Sequence, residues 1–251
     1  YLFTAEEKTE FLKLEPGAKK WFRRWLGADE FINGYERWCL WLGECPPGEL
    51  RQMPHALECV ESVKKFRAAS KSAPTRKLAD TPTRFHVEFM PATPYLVIPE
   101  VSSERRQYIP LGFLQPDTLA SNKLRLLPDA TLLQFGVLTS AMHMAWMRYT
   151  TGRLKSDYQY SINIVYNNFP WPENPTDKLR AAIEAAAQGV LDARAQFPGA
   201  SLADLYDPVA MPAALVKAHQ KLDAAVDAAY GQKGFANDAA RVAFLFEMYR
   251  K

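Results

Sequence analysis

The chain changes its apolar rhythm several times, and each change predicts a different kind of element. Thr4-Ala5-Glu6-Glu7 places a Thr three residues before a Glu, the form of a capping box, so a helix is expected to begin there. A second short helix is expected over residues 18–26. The apolar run over 37–42 reads as a buried strand, and Cys45-Pro46-Pro47-Gly48 breaks the chain behind it. From Pro54 to about Ser70, Leu57, Val60, Val63 and Phe66 recur at near-helical spacing and predict a helix. The period then shortens. Phe85-His86-Val87-Glu88-Phe89 alternates strictly, as a half-buried strand does. Residues 95–98, 107–113 and 123–127 are further strands between Pro, Ser and Asp turns. A long apolar helix is expected over 129–149, with Gly152 as its left-handed cap, and strand character returns over 156–166.

Phe169-Pro170-Trp171-Pro172-Glu173-Asn174-Pro175 has three prolines in seven residues and reads as a linker. Helices are expected beyond it over 176–196, over 211–230 and over Asp238–Tyr249. The second carries Leu215, Leu222 and Val226 on one stripe with Gly231 past its end; the third turns Val242, Leu245, Phe246 and Tyr249 inward. The expected fold class is therefore α+β. A mixed α/β part fills residues 1–168, with 1–70 as lead-in and 71–168 as core, and a small helical bundle fills 169–251.

Composition narrows the possibilities. Of 251 residues, 48% are hydrophobic and 24% charged, which excludes a disordered chain. No run of about 18 apolar residues offers a membrane span. The chain opens on Tyr1 and an acidic stretch, which leads to the expectation of a piece of a longer polypeptide without a signal peptide. Three cysteines without a CxxC pair suggest neither a disulfide framework nor a zinc site, and a reduced, cytoplasmic setting follows. Chemistry is sparse. The four histidines show no ligand spacing, and His143, between Met142 and Met144, reads as a core residue. The six tryptophans also lie mostly in apolar stretches, as core rather than base-stacking residues. There is no GxSxG, GxxxxGK[ST] or GxGxxG motif, and neither Cys45-Pro46-Pro47 nor Asn167-Asn168-Phe169-Pro170 has the Asn-Pro-Pro-aromatic order of an amino-methyltransferase. No cofactor site and no catalysis are expected of these residues. The charge is informative by contrast: the net is only +3, yet residues 61–160 hold 14 Lys/Arg against 8 Asp/Glu. Such a concentration is the footprint of a polyanion partner, with a solvated basic face as the plain alternative.

Three longer segments carry a resemblance. Ser102-Ser103-Glu104-Arg105-Arg106 with Tyr108-Ile109-Pro110-Leu111-Gly112-Phe113-Leu114 resembles the target-recognition region of MmeI-like (Type IIL) restriction–modification enzymes. So do the stretch from Phe135 to Trp146 and Gly152-Arg153-Leu154-Lys155-Ser156-Asp157-Tyr158. Tyr166-Asn167-Asn168-Phe169-Pro170-Trp171-Pro172 and Ser201-Leu202-Ala203-Asp204-Leu205-Tyr206-Asp207-Pro208 extend the likeness through the tail, and phage-exclusion adenine methyltransferases are similar as well. In that family an adenine-N6 methyltransferase domain precedes a recognition domain and a helical bundle, often behind an N-terminal endonuclease domain. The resemblance implies that this chain is the last two parts. Its partners would be double-stranded DNA and the upstream methyltransferase domain of the same polypeptide, where S-adenosylmethionine would bind.

The resemblance also assigns residues. Lys155, Asp157 and Gln159 would read bases, sharing one face if the segment is extended, with Lys155 and Asp157 addressing one G·C pair and Gln159 a neighbour. Asn122 and Lys123 match a second base-reading segment. Arg105, Arg106, Lys64, Lys65, Arg76, Lys77, Arg125 and Arg153 are candidates for phosphate contacts, which give affinity without sequence information. The rival reading is a protein-interaction module whose basic surface is incidental.

Overall fold

In the computed structural model, which describes residues 1–250, Thr4 caps the first helix as its sequence predicts. Its hydroxyl accepts the Glu7 N–H at 3.1 Å, and the Glu7 carboxylate accepts the Thr4 N–H at 2.7 Å. The first half of the chain runs β1 (Leu2–Phe3), α1 (Ala5–Leu14), β2 (Phe22–Leu26), α2 (Ala28–Asn33), β3 (Trp38–Leu40), α3 (Pro47–Leu50), α4 (Pro54–Ala68) and α5 (Ala73–Lys77). Short strands follow: β4 (Tyr95–Pro99), β5 (Val101–Ser102), β6 (Gly112–Leu114), β7 (Thr118–Ala120) and β8 (Leu124–Leu127). Then come α6 (Leu132–Leu138), α7 (Ala141–Thr150), β9 (Gly152–Leu154) and β10 (Asp157–Gln159). The chain closes with α8 (Asp177–Ala195), α9 (Leu202–Leu205), α10 (Ala213–Ala229) and α11 (Asp238–Tyr249). The fold class is α+β, as expected. No described helix is long and apolar enough to cross a membrane.

The chain forms two compact units that alternate along the sequence. The first comprises residues 1–30, 35–92 and 115–122. Its sheet has the order β1-β3-β2-β7, with β2 antiparallel to β3 and parallel to β7. Phe22, Leu40, Leu42, Met53, Ala56 and Val60 form its core. The buried Glu15 carboxylate accepts the N–H groups of His55 and Ala56 and so caps α4. Two expectations fail in this unit, and the helix expected from Pro54 forms. Residues 18–26 are not a helix: a 3-10 turn (Pro16–Trp21) leads into strand β2, which is held between two partner strands. Residues 85–89 alternate perfectly but find no strand partner; Glu88 instead accepts the Phe85 N–H, and Val87 and Phe89 stand in solvent. In α4 a spacing of three falls about 60° short of a full turn each time, so the stripe drifts off the core and Phe66 is 76% exposed.

The second unit comprises residues 31–34, 93–114 and 123–251. It holds two three-stranded sheets, β6-β4-β8 and β5-β10-β9, and its core runs from Leu96 and Ile98 through Phe135 and Trp146 to Ile183 and Leu222. Of the expected strand over 107–113, only Gly112–Leu114 forms. The helix expected over 129–149 is two helices. Thr131, a near neighbour of Asp129, starts the first, with Gln134 accepting the Thr131 N–H, and Ser140 caps the second by accepting the His143 N–H. Gly152 is not a helix cap but the first residue of β9. Strand character over 156–166 stops at Gln159, and a π-helical turn, Ile162–Tyr166, replaces the rest. In α11, Val242 and Leu245 are buried, but Phe246 and Tyr249 are 39% and 53% exposed; both rings pack on Trp146, and the Tyr249 hydroxyl donates to Asn168 Oδ1 at 3.5 Å.

Helix α6 meets α8 at Gly136, where an added Cβ would lie 2.8 Å from Ile183 Cγ2 and 3.1 Å from Ala187 Cβ. Both neighbours are fully buried and have nowhere to move. Gly136→Leu is therefore expected to destabilise the fold by about 1–3 kcal/mol through overpacking, which denaturant titration measures. An unchanged midpoint would show that the helices separate freely.

Candidate nucleic-acid interface

Glu100 stands between β4 and β5, where the chain passes from one sheet of the second unit to the other. Its N–H donates to the Lys123 carbonyl at 2.9 Å and its carbonyl accepts the Tyr160 N–H at 2.7 Å. A charged residue at this corner needs partners, because only 8% of it reaches solvent. Arg125 Nη2 lies 2.9 Å from Oε1, Lys123 Nζ lies 3.1 Å from Oε2, and the Gln159 side chain stands beside the carboxylate. Burial alone would raise the Glu100 pKa; Lys123, Arg125 and Gln159 together outweigh it and hold the carboxyl below its usual range. Oε2 lies beneath Lys123, out of reach of solvent. Three of the sequence-assigned residues thus converge on one carboxylate. Arg125 and Gln159, with Glu100 itself, border a cleft of about 490 Å³ lined also by Gly152, Tyr160 and Ser161.

The hairpin of β9 and β10 carries the next group. Leu154 pairs with Asp157, so Lys155 and Ser156 form a two-residue turn. Lys155 has φ of +57° there, the first turn position of a type II′ hairpin, where glycine is favoured. This corrects the expectation of a shared face: Asp157 and Gln159 lie on one face of β10, whereas Lys155 projects from the exposed tip. Asp157 Oδ1 accepts the Glu104 N–H at 3.3 Å. Arg153 braces the hairpin, donating to the Ser156 carbonyl at 2.8 Å and lying 4.2 Å over the Tyr158 ring. Arg105 is exposed, but its neighbour Arg106 is drawn in; burial lowers its pKa against the pull of Asp157 and Asp207. The two do not form a matched clamp.

In the first unit Lys64, Lys65 and Lys77 are exposed on α4 and α5. Arg76 is exposed as well, yet its Nη1 is spent on the carbonyls of Ser70 and Lys71. Asn122 lies in an exposed turn directly before Lys123. His143 is buried, with Nε2 2.9 Å from the Tyr160 hydroxyl, and belongs to the core. Sequence reasoning missed Glu100. Its signal was a lone charge in the apolar run from Tyr95 to Val101, which cannot be buried without a partner.

The residues present do not fit S-adenosylmethionine. Among the described residues the one parallel strand pair is β2 with β7, and the strand-to-helix turn after β2 is filled by Glu30, whose carboxylate takes the Gly27 N–H at 3.0 Å. Among the described residues no three of His, Cys, Asp and Glu converge as metal ligands would. What the arrangement offers is a set of cations, amides and carboxylates held at fixed positions on short strands, the chemistry of a recognition surface for a polyanion.

The comparisons agree with that class. Residues 1–173 match the family described as MmeI, target recognition domain, and residues 175–251 match MmeI, C-terminal domain. The chain belongs to this family. DNA methyltransferase A of Bacillus subtilis (strain 168) is 40% identical over 250 residues, covering all of this chain and 28% of that protein. The structure of the Type IIL restriction–modification enzyme MmeI in complex with DNA superposes with a TM-score of 0.97 at 51% identity, covering all of this chain and 33% of the other. The chain thus spans about a third of the length of these relatives.

Proposed function

We propose that the chain reads the sequence of double-stranded DNA on behalf of a longer adenine-N6 methyltransferase acting in the cytoplasm. The catalytic domain and its S-adenosylmethionine site lie upstream in the same polypeptide, the target adenine is flipped out of the duplex for transfer, and this chain performs no chemistry itself. The observation that carries the reading is the convergence of Lys123, Arg125 and Gln159 on Glu100, in a chain whose MmeI relative was solved with DNA. Lys123, Asn122, Lys155, Asp157 and Gln159 address base edges; Arg105, Lys64, Lys65 and Lys77 meet phosphates. Arg125 and Arg153 act mainly by holding Glu100 and the hairpin.

The experiment is binding by the full-length parent over a salt series, with cognate and single-mismatch duplexes. Counterion release makes DNA affinity fall steeply with salt, whereas an apolar docking module changes little. Glu100→Gln removes the charge that orients the readers but leaves every exposed cation in place. It is expected to cut discrimination against the mismatch about tenfold or more while preserving general affinity. Salt-independent binding would refute DNA recognition, and undiminished discrimination would remove Glu100 from the reading site.

A further inference from the structure

The cleft beside Glu100 is lined by two unlike kinds of group, the hydrogen-bonding side chains of Glu100, Arg125 and Gln159 and the alkyl side chains of Ile162 and Ile164. These isoleucines are 40% and 51% exposed, and they flank Asn163 on the π-helical turn, a conformation that recurs at functional sites. The turn is fixed from every side. Ser161 Oγ accepts the Ile164 N–H at 3.3 Å, and the Asn167 N–H reaches the Ile162 carbonyl at 2.9 Å. Asn168 Nδ2 donates to the carbonyls of Asn163 and Ile164 at 2.7 and 3.0 Å. Beneath it Val165 is fully buried, and its carbonyl accepts the Trp146 indole N–H at 3.0 Å. Two β-branched side chains with few rotamers are thus held rigidly in water at the edge of a polar site, an arrangement that costs free energy until something apolar covers them.

On the proposed reading the cleft faces the edges of base pairs. Phosphates and sugars present no methyl group there, and guanine, cytosine and adenine present none in the major groove; thymine alone has a 5-methyl group, beside its O4 acceptor. We infer that this cleft reads a T·A pair, with Ile162 and Ile164 receiving the thymine methyl group. Beside them the Gln159 side-chain amide, at the border of the same cleft, is of the right kind to donate to thymine O4 or to accept from the adenine N6 amine. This inference rests on the DNA-reading function and extends it to one base and two residues that no hydrogen-bonding argument would select.

The test uses the full-length parent. Its site is first mapped by locating methylated adenines in DNA from cells that express it. Duplexes are then made in which each thymine of the site, one at a time, is replaced by deoxyuridine, which removes only the methyl group. At one position the wild type is expected to bind the uracil duplex about fourfold more weakly, the effect of one buried methyl group. The double variant Ile162→Ala, Ile164→Ala is expected to bind the two duplexes equally while keeping its discrimination at the other positions. Both side chains are exposed, so the variant should retain its fold, which its unfolding midpoint verifies. A mapped site without thymine, uracil tolerated at every position, or a variant that still distinguishes uracil overturns the inference and leaves DNA recognition standing. Failure of the wild type to prefer its own site overturns the function itself.

Discussion

Lowering the pH from about 7.5 to about 5 is expected to cost the fold about 4 kcal/mol through two histidines alone. Burial pushes the pKa of His143 down to about 3, with its Nε2 held by the Tyr160 hydroxyl and its ring packed edge-on against Phe169. Burial and then the charge of Arg194 push His219 to about 3 as well; its Nε2 lies 2.8 Å from the Tyr206 hydroxyl and its ring stacks on Tyr108 at 4.0 Å. Both imidazoles stay neutral in the folded chain while the unfolded chain takes up protons below about 6.5. The unfolded state binds more protons in that window, so this stability is complete above about 6.5 and falls away as the pH drops toward 3. Asp223 acts in the opposite sense, because burial raises its pKa and protonation relieves the folded state. His219→Gln separates the contributions: it retains a polar group for Tyr206 and removes the titration. Denaturant unfolding at the two pH values should show the variant losing about 2 kcal/mol less than the wild type. Equal losses would mean that His219 is not protonated on unfolding.

A loss of similar size is expected from Arg241→Met. Arg241 Nη2 lies 3.0 Å from Asp227 Oδ2, with the two side chains 13% and 3% exposed, and the guanidinium stands 5.4 Å over the Phe235 ring. This pair ties α11 to α10. Replacing Arg241 leaves an ionised carboxylate buried without its partner, which costs about 3–5 kcal/mol; the melting temperature should fall by roughly 10 °C. Met preserves much of the packing over Phe235, so the loss reports on charge. Adding Asp227→Leu removes the stranded carboxylate and should restore most of the stability. If the single variant melts within about 2 °C of wild type, water reaches Asp227 and the pair is not a buried one.

What the sequence made legible depends on how local the cause is. The capping box at Thr4 and the tail helices were readable because their signals lie within a few residues. Trp21, Phe22, Trp25 and Leu26 form a helical stripe on paper, yet β2 is a strand because Trp38–Leu40 and Thr118–Ala120 pair with it. One of those partners lies some ninety residues further along the chain, beyond any periodicity. Ser140 breaks an apolar run that otherwise continues, and a single hydroxyl in such a run does not announce a cap. At the candidate interface, the resemblance supplied Lys123, Arg125 and Gln159, but not the Glu100 that joins them. That junction exists only after β4, β8 and β10 have assembled. Lys155 was misplaced because two residues of turn are too few to interrupt an alternating pattern.

The alternation of the two compact units along the chain has a consequence for inheritance. Passing from one end to the other, the chain changes unit after residues 30, 34, 92, 114 and 122. A recombination event with one crossover between related genes would therefore join an incomplete first unit to a mismatched second one almost wherever it fell before residue 123. Shuffling of blocks is a poor way for such a protein to acquire a new target. Substitution of single codons around Glu100 is open to it, since those side chains can change while the strands beneath them keep their places. New specificities in this lineage should accordingly differ by scattered point changes, not by exchanged segments.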